Sequence, residues 1–276
     1  MHNEIHIGAQ GWNYDDWVGP FYPSGTRGTA YLEVYTKACD TVEVDSTFYA
    51  IPSANAVQGW RKRAPAGFTY SLKLPQEITH QNRLRDSQEV LERFCERARE
   101  LGETLALILI QLPPDFSPLA MDALEKFLPQ LPRDLRFAIE FRDRAWLNKT
   151  NGERMLPQLK EYGVGLALSD SPWVPRELLF RLIERWERWA IGEFAYVRWM
   201  APRDLTVFSH VQINRDRELA EWAAAVKQLQ QHVTTIYGYF SNYYQGHAPA
   251  SCQQFKQLLG QPVVEPEALI VQPSLF

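Results

Sequence analysis

Short apolar runs alternate with longer amphipathic stretches from one end of the chain to the other. Runs of about four to eight apolar residues are typical of buried strands, whereas apolar residues that recur with a period near 3.6 indicate surface helices. Repeated strand–helix units predict a parallel sheet covered by helices. The eight predicted strands are Ile5–Gln10, Thr41–Asp45, Phe68–Leu74, Leu105–Leu112, Arg136–Arg142, Val164–Ser169, Ala195–Trp199 and Thr235–Phe240.

Helices are predicted in the gaps between these strands. The clearest is Ser87–Leu101, whose apolar residues recur at helical spacing before Gly102, a residue type that commonly ends helices. The other predicted helices are Thr29–Ala38, Ala54–Arg63, Ser117–Leu128, Glu153–Tyr162, Arg176–Trp189, Arg215–Gln231 and Pro249–Leu259. From about Gly260 to Phe276 the chain carries three prolines and no clear period, so we expect a tail that lies over the domain.

Eight consecutive strand–helix units predict the α/β class and a single (β/α)₈ TIM barrel over residues 1–276, with a short C-terminal tail. The length of 276 residues is close to the roughly 250 residues typical of such barrels. A doubly wound open sheet is the alternative, because the same units also build that fold.

Alternation along the strands predicts which side chains enter the barrel lumen. In a closed barrel, successive side chains point alternately to the lumen and to the helices. Val42 and Val44 should face the helices, which sends Glu43 and Asp45 inward. The same alternation places further polar residues in the lumen, near the C-terminal ends of their strands: Gln10, Lys73, Gln111, Glu140, Arg142, Ser169 and Arg198.

Barrel enzymes carry their catalytic groups at these C-terminal ends. Buried charges are costly unless they are paired or bind a ligand, so the inward charges predict a polar pocket. We expect Glu140 to move a proton, with Glu43 and Asp45 as further acid–base carboxylates. Lys73, Arg142 and Arg198 would bind an anionic group of the substrate. The alternative is an ion-pair network that only fills the barrel.

The loop after the last strand, residues 241–247, leads directly into a predicted helix with Pro249 in its first turn. Loops after the seventh and eighth strands, together with a helix N-terminus, commonly bind phosphate in this fold. We therefore expect an anion site that includes Asn242, Gly246 and His247. The alternative is that Asn242 and His247 only tie the loop and cap the helix.

Aromatic residues are dense in the loop after the first strand. Trp12 and Tyr14 lie nearest the strand end, where they could stack on a sugar or a base. More often such a cluster forms the private core of a long loop.

A divalent metal is possible but not favoured. Glu43, Asp45, Glu140, Asp170 and His247 offer oxygen and imidazole ligands at one rim, and Asp170 also remains a candidate ligand-binding residue. No metal-binding spacing such as His-Glu-x-x-His is present, and the nearby cations disfavour an anionic cage.

Charge and composition exclude several classes of protein. The net charge of −4 provides no general basic field, so a nucleic-acid partner would need a local basic patch. The longest strongly apolar run, Leu105–Ile110, is too short to cross a bilayer, and the three cysteines lack any Cys-x-x-Cys pair. We expect a cytoplasmic protein without a membrane partner.

Several segments are similar to those of a known family: Ile-Gly-Ala-Gln-Gly-Trp-Asn-Tyr (7–14), Trp-Val-Gly-Pro-Phe-Tyr-Pro (17–23), Thr-Val-Glu-Val-Asp-Ser-Thr-Phe-Tyr (41–49) and Glu-Phe-Arg (140–142). The chain resembles the YecE-like family, domain of unknown function 72. The resemblance implies a TIM barrel and names no substrate. This chain has Trp199-Met200 where the family often has His-Gly, and Ser241-Asn242 where it often has Asn-Asn.

Three functions compete at this point. The first is a hydrolase, lyase or isomerase that acts by acid–base chemistry on a small anionic or sugar-like molecule. The second is an enzyme that processes nucleic acid. Aromatic loops and rim arginines such as Arg83 and Arg85 would bind the strand around the pocket. The third is a non-catalytic binding or scaffold protein whose lumen charges only neutralise one another.

Overall fold

The computed structural model describes residues 4–189 and 192–269 and has the architecture of a (β/α)₈ TIM barrel. Eight parallel strands are paired in the order β1-β8-β7-β6-β5-β4-β3-β2, and helices surround them. The strands are β1 (Glu4–Ala9), β2 (Thr41–Val44), β3 (Thr69–Lys73), β4 (Leu105–Gln111), β5 (Phe137–Glu140), β6 (Val164–Asp170), β7 (Phe194–Trp199) and β8 (Thr235–Phe240). The predicted strands and fold are confirmed.

The helices also follow the prediction, with shifted ends. They are α1 (Tyr31–Ala38), α2 (Ala54–Arg63), α3 (Gln88–Arg99), α4 (Met121–Phe127), α5 (Lys149–Tyr162), α6 (Arg176–Glu184), α7 (Trp186–Trp189), α8 (Asp216–Leu229), α9 (Asn242–Gln245) and α10 (Ala248–Leu259). Two differences matter. The predicted helix Arg176–Trp189 is divided at Arg185, and the short helix α9 occupies part of the predicted loop after β8.

The tail beyond Gly260 is described as far as Leu269, and residues 270–276 lie outside the described part. The amide side chain of Gln261 donates a hydrogen bond to the backbone carbonyl of Ile5, at 2.7 Å. Leu269, which ends a 3₁₀ turn, is almost fully buried. The described tail therefore packs beside the start of β1, away from the C-terminal ends of the strands.

The lumen has an apolar lower part and a polar upper part. Leu109, Ala138 and Tyr196 point inward one layer below Gln111, Glu140 and Arg198, and are buried in one cluster. The outward side chains of the same strands pack against the helices in a separate, larger core. The strand pattern therefore concentrates polarity at the C-terminal mouth.

The seam between β1 and β2 is closed by a tyrosine side chain. These strands share only the bridge between Gln10 and Glu43, so backbone groups below it need other partners. The hydroxyl of Tyr35 on α1 accepts a hydrogen bond from the Ala9 amide at 2.8 Å and donates one to the Thr41 carbonyl at 3.0 Å. Tyr35 thus completes the barrel where the strand ladder is interrupted.

We expect Tyr35→Phe to lower the free energy of unfolding by about 1–3 kcal/mol, because it leaves the buried Ala9 amide and Thr41 carbonyl without this partner. Urea denaturation measures the change. Tyr31→Phe is the matched control on the same helix, since its hydroxyl bonds the side chain of Asp15 in a partly exposed position. Equal effects of the two substitutions would refute this role of Tyr35.

Candidate active site

Two carboxylates from opposite sides of the lumen meet on one arginine. Arg198 of β7 donates to both oxygens of Glu43 of β2, from Nη2 at 2.6 Å and from Nε at 2.9 Å. Its Nη1 donates to Glu140 of β5 at 2.6 Å. Tyr196 donates a further hydrogen bond to Glu43 at 2.5 Å. The three charged side chains are at most 1% exposed, so they form a sealed layer across the barrel.

The two carboxylates of this layer have opposite pKa shifts. Burial raises the pKa of Glu43, and the charge of Arg198 offsets only part of that effect. Burial also acts to raise the pKa of Glu140, but the charges of Arg198 and Arg142 outweigh it and hold the pKa at about 2. Glu140 is therefore permanently ionised near neutral pH. This geometry does not support the expected acid–base role of Glu140 and makes it a partner of two arginines instead.

A cavity of about 580 Å³ opens directly above this layer. Its walls come from the loops after β2, β3, β5, β6 and β7. At its floor, Lys73 ends β3 and is 5% exposed. The nearest carboxylate oxygen to its Nζ is Oδ1 of Asp45, at 3.6 Å, and the ring of Phe48 lies 4.2 Å below the ammonium.

Arg142 forms another wall of the cavity. Its Nε donates to Glu140 at 2.9 Å, and its guanidinium stacks 4.2 Å from the centre of the partly exposed Trp173 ring. Gln111 donates to the same oxygen of Glu140 at 3.2 Å. Because the hydrogen bond to Glu140 and the Trp173 ring hold its position, Arg142 keeps further N–H groups beside the cavity.

His80 also lines the cavity, although the sequence analysis did not select it. It lies on a π-helical turn, Glu77–Gln81, a feature often found at functional sites. Its Nδ1 is 2.8 Å from the hydroxyl of Thr79, and burial together with the charges of Lys73 and Arg142 lowers its pKa to about 4. His80 is therefore a neutral imidazole near neutral pH. A π turn has no sequence period that would have revealed it.

The expected anion site after β8 is occupied by the chain itself. Oδ1 of Asn242 accepts hydrogen bonds from the Ala248 amide, at 2.9 Å, and from the indole of Trp17, at 3.1 Å. The first amide of α10 is thus capped internally. Gly246 has a positive φ of 105° and packs against His210 and Gln212. The capping alternative describes Asn242 better than the phosphate site does.

His247, Asp170 and Trp12 lie away from the cavity. The ring of His247 is buried edge-on to Trp17, and Asp170 accepts hydrogen bonds from Trp222 and Arg176 on the helix side of β6. Trp12 packs against Trp60 of α2. The expectation that Asp170 and His247 join the rim carboxylates was therefore wrong. Asp170 is two residues from Leu168 on β6, so its side chain points outward like that of Leu168. This spacing could have predicted its position from the sequence.

Gln10 and Tyr14 lie at a smaller cleft beside the main cavity. The amide side chain of Gln10 contacts the sulfur of Met200 at 2.8 Å, and the Tyr14 hydroxyl donates to the Gln10 carbonyl at 3.0 Å. These contacts stabilise the first loop against the mouth and leave both residues as possible ligand contacts.

Two of the rim arginines considered for nucleic acid are paired within the protein. Arg83 bonds Asp115 at 2.9 Å, and Arg85 bonds both oxygens of Asp122 at 3.1 Å. In the described part of the chain, no three histidine, cysteine, aspartate or glutamate side chains stand close enough to hold a metal ion. Within residues 4–189 and 192–269, every helix is too short or too polar to cross a lipid bilayer.

A family model described as "Protein of unknown function DUF72" matches residues 6–273. The chain belongs to the DUF72 family. It is 30% identical to UPF0759 protein YecE of Escherichia coli (strain K12) over 168 residues, which cover 60% of this chain and 59% of YecE. UPF0759 protein YunF of Bacillus subtilis (strain 168) is 25% identical over 92% of this chain and 94% of its own.

Among solved structures, a DUF72 family protein from Thermotoga maritima superposes with a TM-score of 0.76 at 24% identity. The match covers 94% of this chain and all of the other. At this level of identity the likeness supports the fold alone.

The two departures from the DUF72 pattern have different places in the structure. Trp199 faces the helices and stacks on Phe240 with ring centres 4.2 Å apart, whereas Met200 lines the cavity. Ser241 caps α9 by accepting from the Tyr243 amide at 3.3 Å. Met200 is therefore the departure that changes the cavity wall directly.

Proposed function

We propose that the chain is an enzyme that binds a small anionic molecule in the mouth cavity and transfers a proton to or from it. One observation carries the proposal: at the cavity floor a buried carboxylate oxygen has no hydrogen-bond donor, and the lysine amine beside it donates no hydrogen bond. In the described residues nothing accepts a hydrogen bond from Nζ of Lys73, and Oδ1 of Asp45 is buried without a donor. Buried polar atoms are rarely left in this state without a ligand or water to satisfy them.

The charge of the cavity favours an anion. Lys73, Arg142 and Arg203 line it, whereas Asp45 is the carboxylate among the lining residues. Glu43 and Glu140 lie beneath and are already bonded to Arg198. A carboxylate or phosphate group would accept hydrogen bonds from Arg142 and Arg203, a geometry that arginine suits well.

Proton transfer falls to groups that reach the cavity. His80 is neutral because its pKa lies near 4, so it is available as a base near neutral pH. Burial lowers the pKa of Lys73, which makes its ammonium a readier proton donor. This pair supports the acid–base step shared by hydrolases, lyases and isomerases.

Arg142→Ala should weaken the binding of inorganic phosphate and malonate by about 10- to 100-fold, because hydrogen bonds from charged donors contribute about 1.5–3 kcal/mol. Isothermal titration calorimetry measures the affinities. Arg144→Ala is the matched control, since Arg144 is exposed and lies outside the cavity lining. No binding by the unaltered protein, or equal binding by all three proteins, would contradict the proposal.

A further inference from the structure

Lys73 differs from every other lysine of the chain. Of the eight lysines, only Lys73 and Lys256 are buried, and both lie among the described residues. Lys256 donates a hydrogen bond to the Ala38 carbonyl at 3.2 Å and lies 3.9 Å from Asp40. Lys73 has a similar degree of burial and lies 3.6 Å from Asp45, but it donates no hydrogen bond, and it lines the cavity.

The surroundings of Lys73 favour the neutral amine more than water does. Burial lowers its pKa most strongly and Arg198 lowers it further. Asp45, Glu43 and Glu140 act in the opposite direction but do not cancel the effect. A neutral lysine amine is a nucleophile, and enzymes activate it by desolvation or by a neighbouring cation. Both conditions are met here.

We propose that Lys73 forms a Schiff base with an aldehyde or ketone that also carries an anionic group. The inference rests on the proposed anion site, because Arg142 would hold that group while the carbonyl carbon meets Nζ. The expected substrates are therefore oxo acids and related anionic carbonyl compounds.

The chemical step needs no oxidant or reductant. The lone pair of Nζ forms a bond to the carbonyl carbon as the C=O π pair moves onto the oxygen. The nitrogen then releases one proton and the oxygen takes one up, which gives a neutral carbinolamine. Loss of the hydroxyl with a second proton then releases one water and leaves a protonated imine. Overall, the neutral amine, the carbonyl compound and one proton give the iminium and water.

Asp45 is placed to carry protons in this step. Its unpartnered Oδ1 lies 3.6 Å from Nζ, so it can receive the proton that the nitrogen releases on attack. The ring of Phe48 packs against the ammonium, 4.2 Å from Nζ, and so contributes to its desolvation. The iminium then lies near Arg198 and the cavity, where a proton could leave the adjacent carbon toward His80.

Reductive trapping tests the inference in the unaltered protein. The chain is incubated with glyoxylate and sodium cyanoborohydride near pH 7, and labelling of each lysine is followed by peptide mass spectrometry. We expect Lys73 to be labelled severalfold faster than Lys256 and the exposed lysines, because its lowered pKa leaves a larger fraction of the amine free to attack the carbonyl.

Two variants and a neutral probe sharpen the experiment. Lys73→Arg keeps the positive charge and should lose the fast-labelled peptide. Arg142→Ala should slow labelling by glyoxylate much more than labelling by acetaldehyde, because acetaldehyde has no anionic group for Arg142 to bind. Labelling of Lys73 no faster than that of the exposed lysines overturns the Schiff-base inference. If phosphate binding still depends on Arg142, the proposed anion site stands independently.

Discussion

Replacing Arg198 with methionine should lower the free energy of unfolding by about 3–5 kcal/mol near neutral pH. The substitution leaves Glu43 and Glu140 fully buried without the cation that bonds both. Removing one partner of a buried ion pair costs about 3–5 kcal/mol. Here Glu43 loses its arginine, and Glu140 keeps only Arg142. Urea denaturation of the purified variant measures the change.

The matched control is Arg154→Ala. Arg154 also forms a close ion pair, 2.8 Å from Glu125, but it is 61% exposed. Surface pairs contribute about 0–1 kcal/mol, so this variant should be nearly as stable as the unaltered chain. Comparable losses in the two variants would show that burial does not set the cost.

A triple variant separates the loss of charge pairing from the loss of packing. Glu43→Gln and Glu140→Gln, added to Arg198→Met, remove the stranded charges, and stability should then recover in large part. Arg198→Met alone should also be less destabilised near pH 5 than near pH 8, because unpaired buried carboxylates take up protons more readily in the folded state. A loss independent of pH would assign the effect to packing.

The strand alternation predicted the direction of the lumen side chains because a two-residue period leaves few choices. Glu43, Lys73, Glu140 and Arg198 all point inward, as expected. Direction says nothing of depth, however. The sequence could not show that Arg198 is long enough to bridge the barrel and seal two carboxylates beneath the cavity.

The loops were less predictable because their side chains follow no period. Asn242 was placed in an anion site, yet its own side chain caps α10. His80 was not selected from the sequence, and its ring reaches the cavity from a π-helical turn. Both outcomes depend on backbone conformation after the strand ends, which local composition does not determine.

The charged residues predicted to form one polar pocket occupy two places: a sealed layer that stabilises the barrel and an open cavity above it. Glu43, Arg198 and Glu140 hold the upper lumen together and fix Arg142 through Glu140. Lys73, Asp45 and His80 are the groups that solvent and a ligand can reach. The ion-pair network therefore lies directly beneath the proposed ligand site, so the two alternatives posed from the sequence do not exclude each other.

Glu140→Gln should lower the free energy of unfolding by about 3 kcal/mol near pH 7, and the deficit should shrink as the solution is acidified. The pKa of Glu140 is held at about 2, below its ordinary value of 4.5, by Arg198 and Arg142 acting against burial. A depressed carboxyl pKa stabilises the fold above the ordinary value. That stabilisation is lost as the pH falls from 4.5 toward 2.

Denaturation curves recorded from pH 7 to pH 3 for both proteins give the difference directly, and more than half of the gap should close by about pH 3. Glu43→Gln is the control on the other side of Arg198. The pKa of Glu43 is raised, mainly by burial, so its contribution to stability is lost as the pH rises through that pKa. The Glu43→Gln variant should therefore gain stability relative to the unaltered chain as the pH rises. Parallel curves for the two variants would mean that Arg198 and Arg142 do not distinguish the two carboxylates.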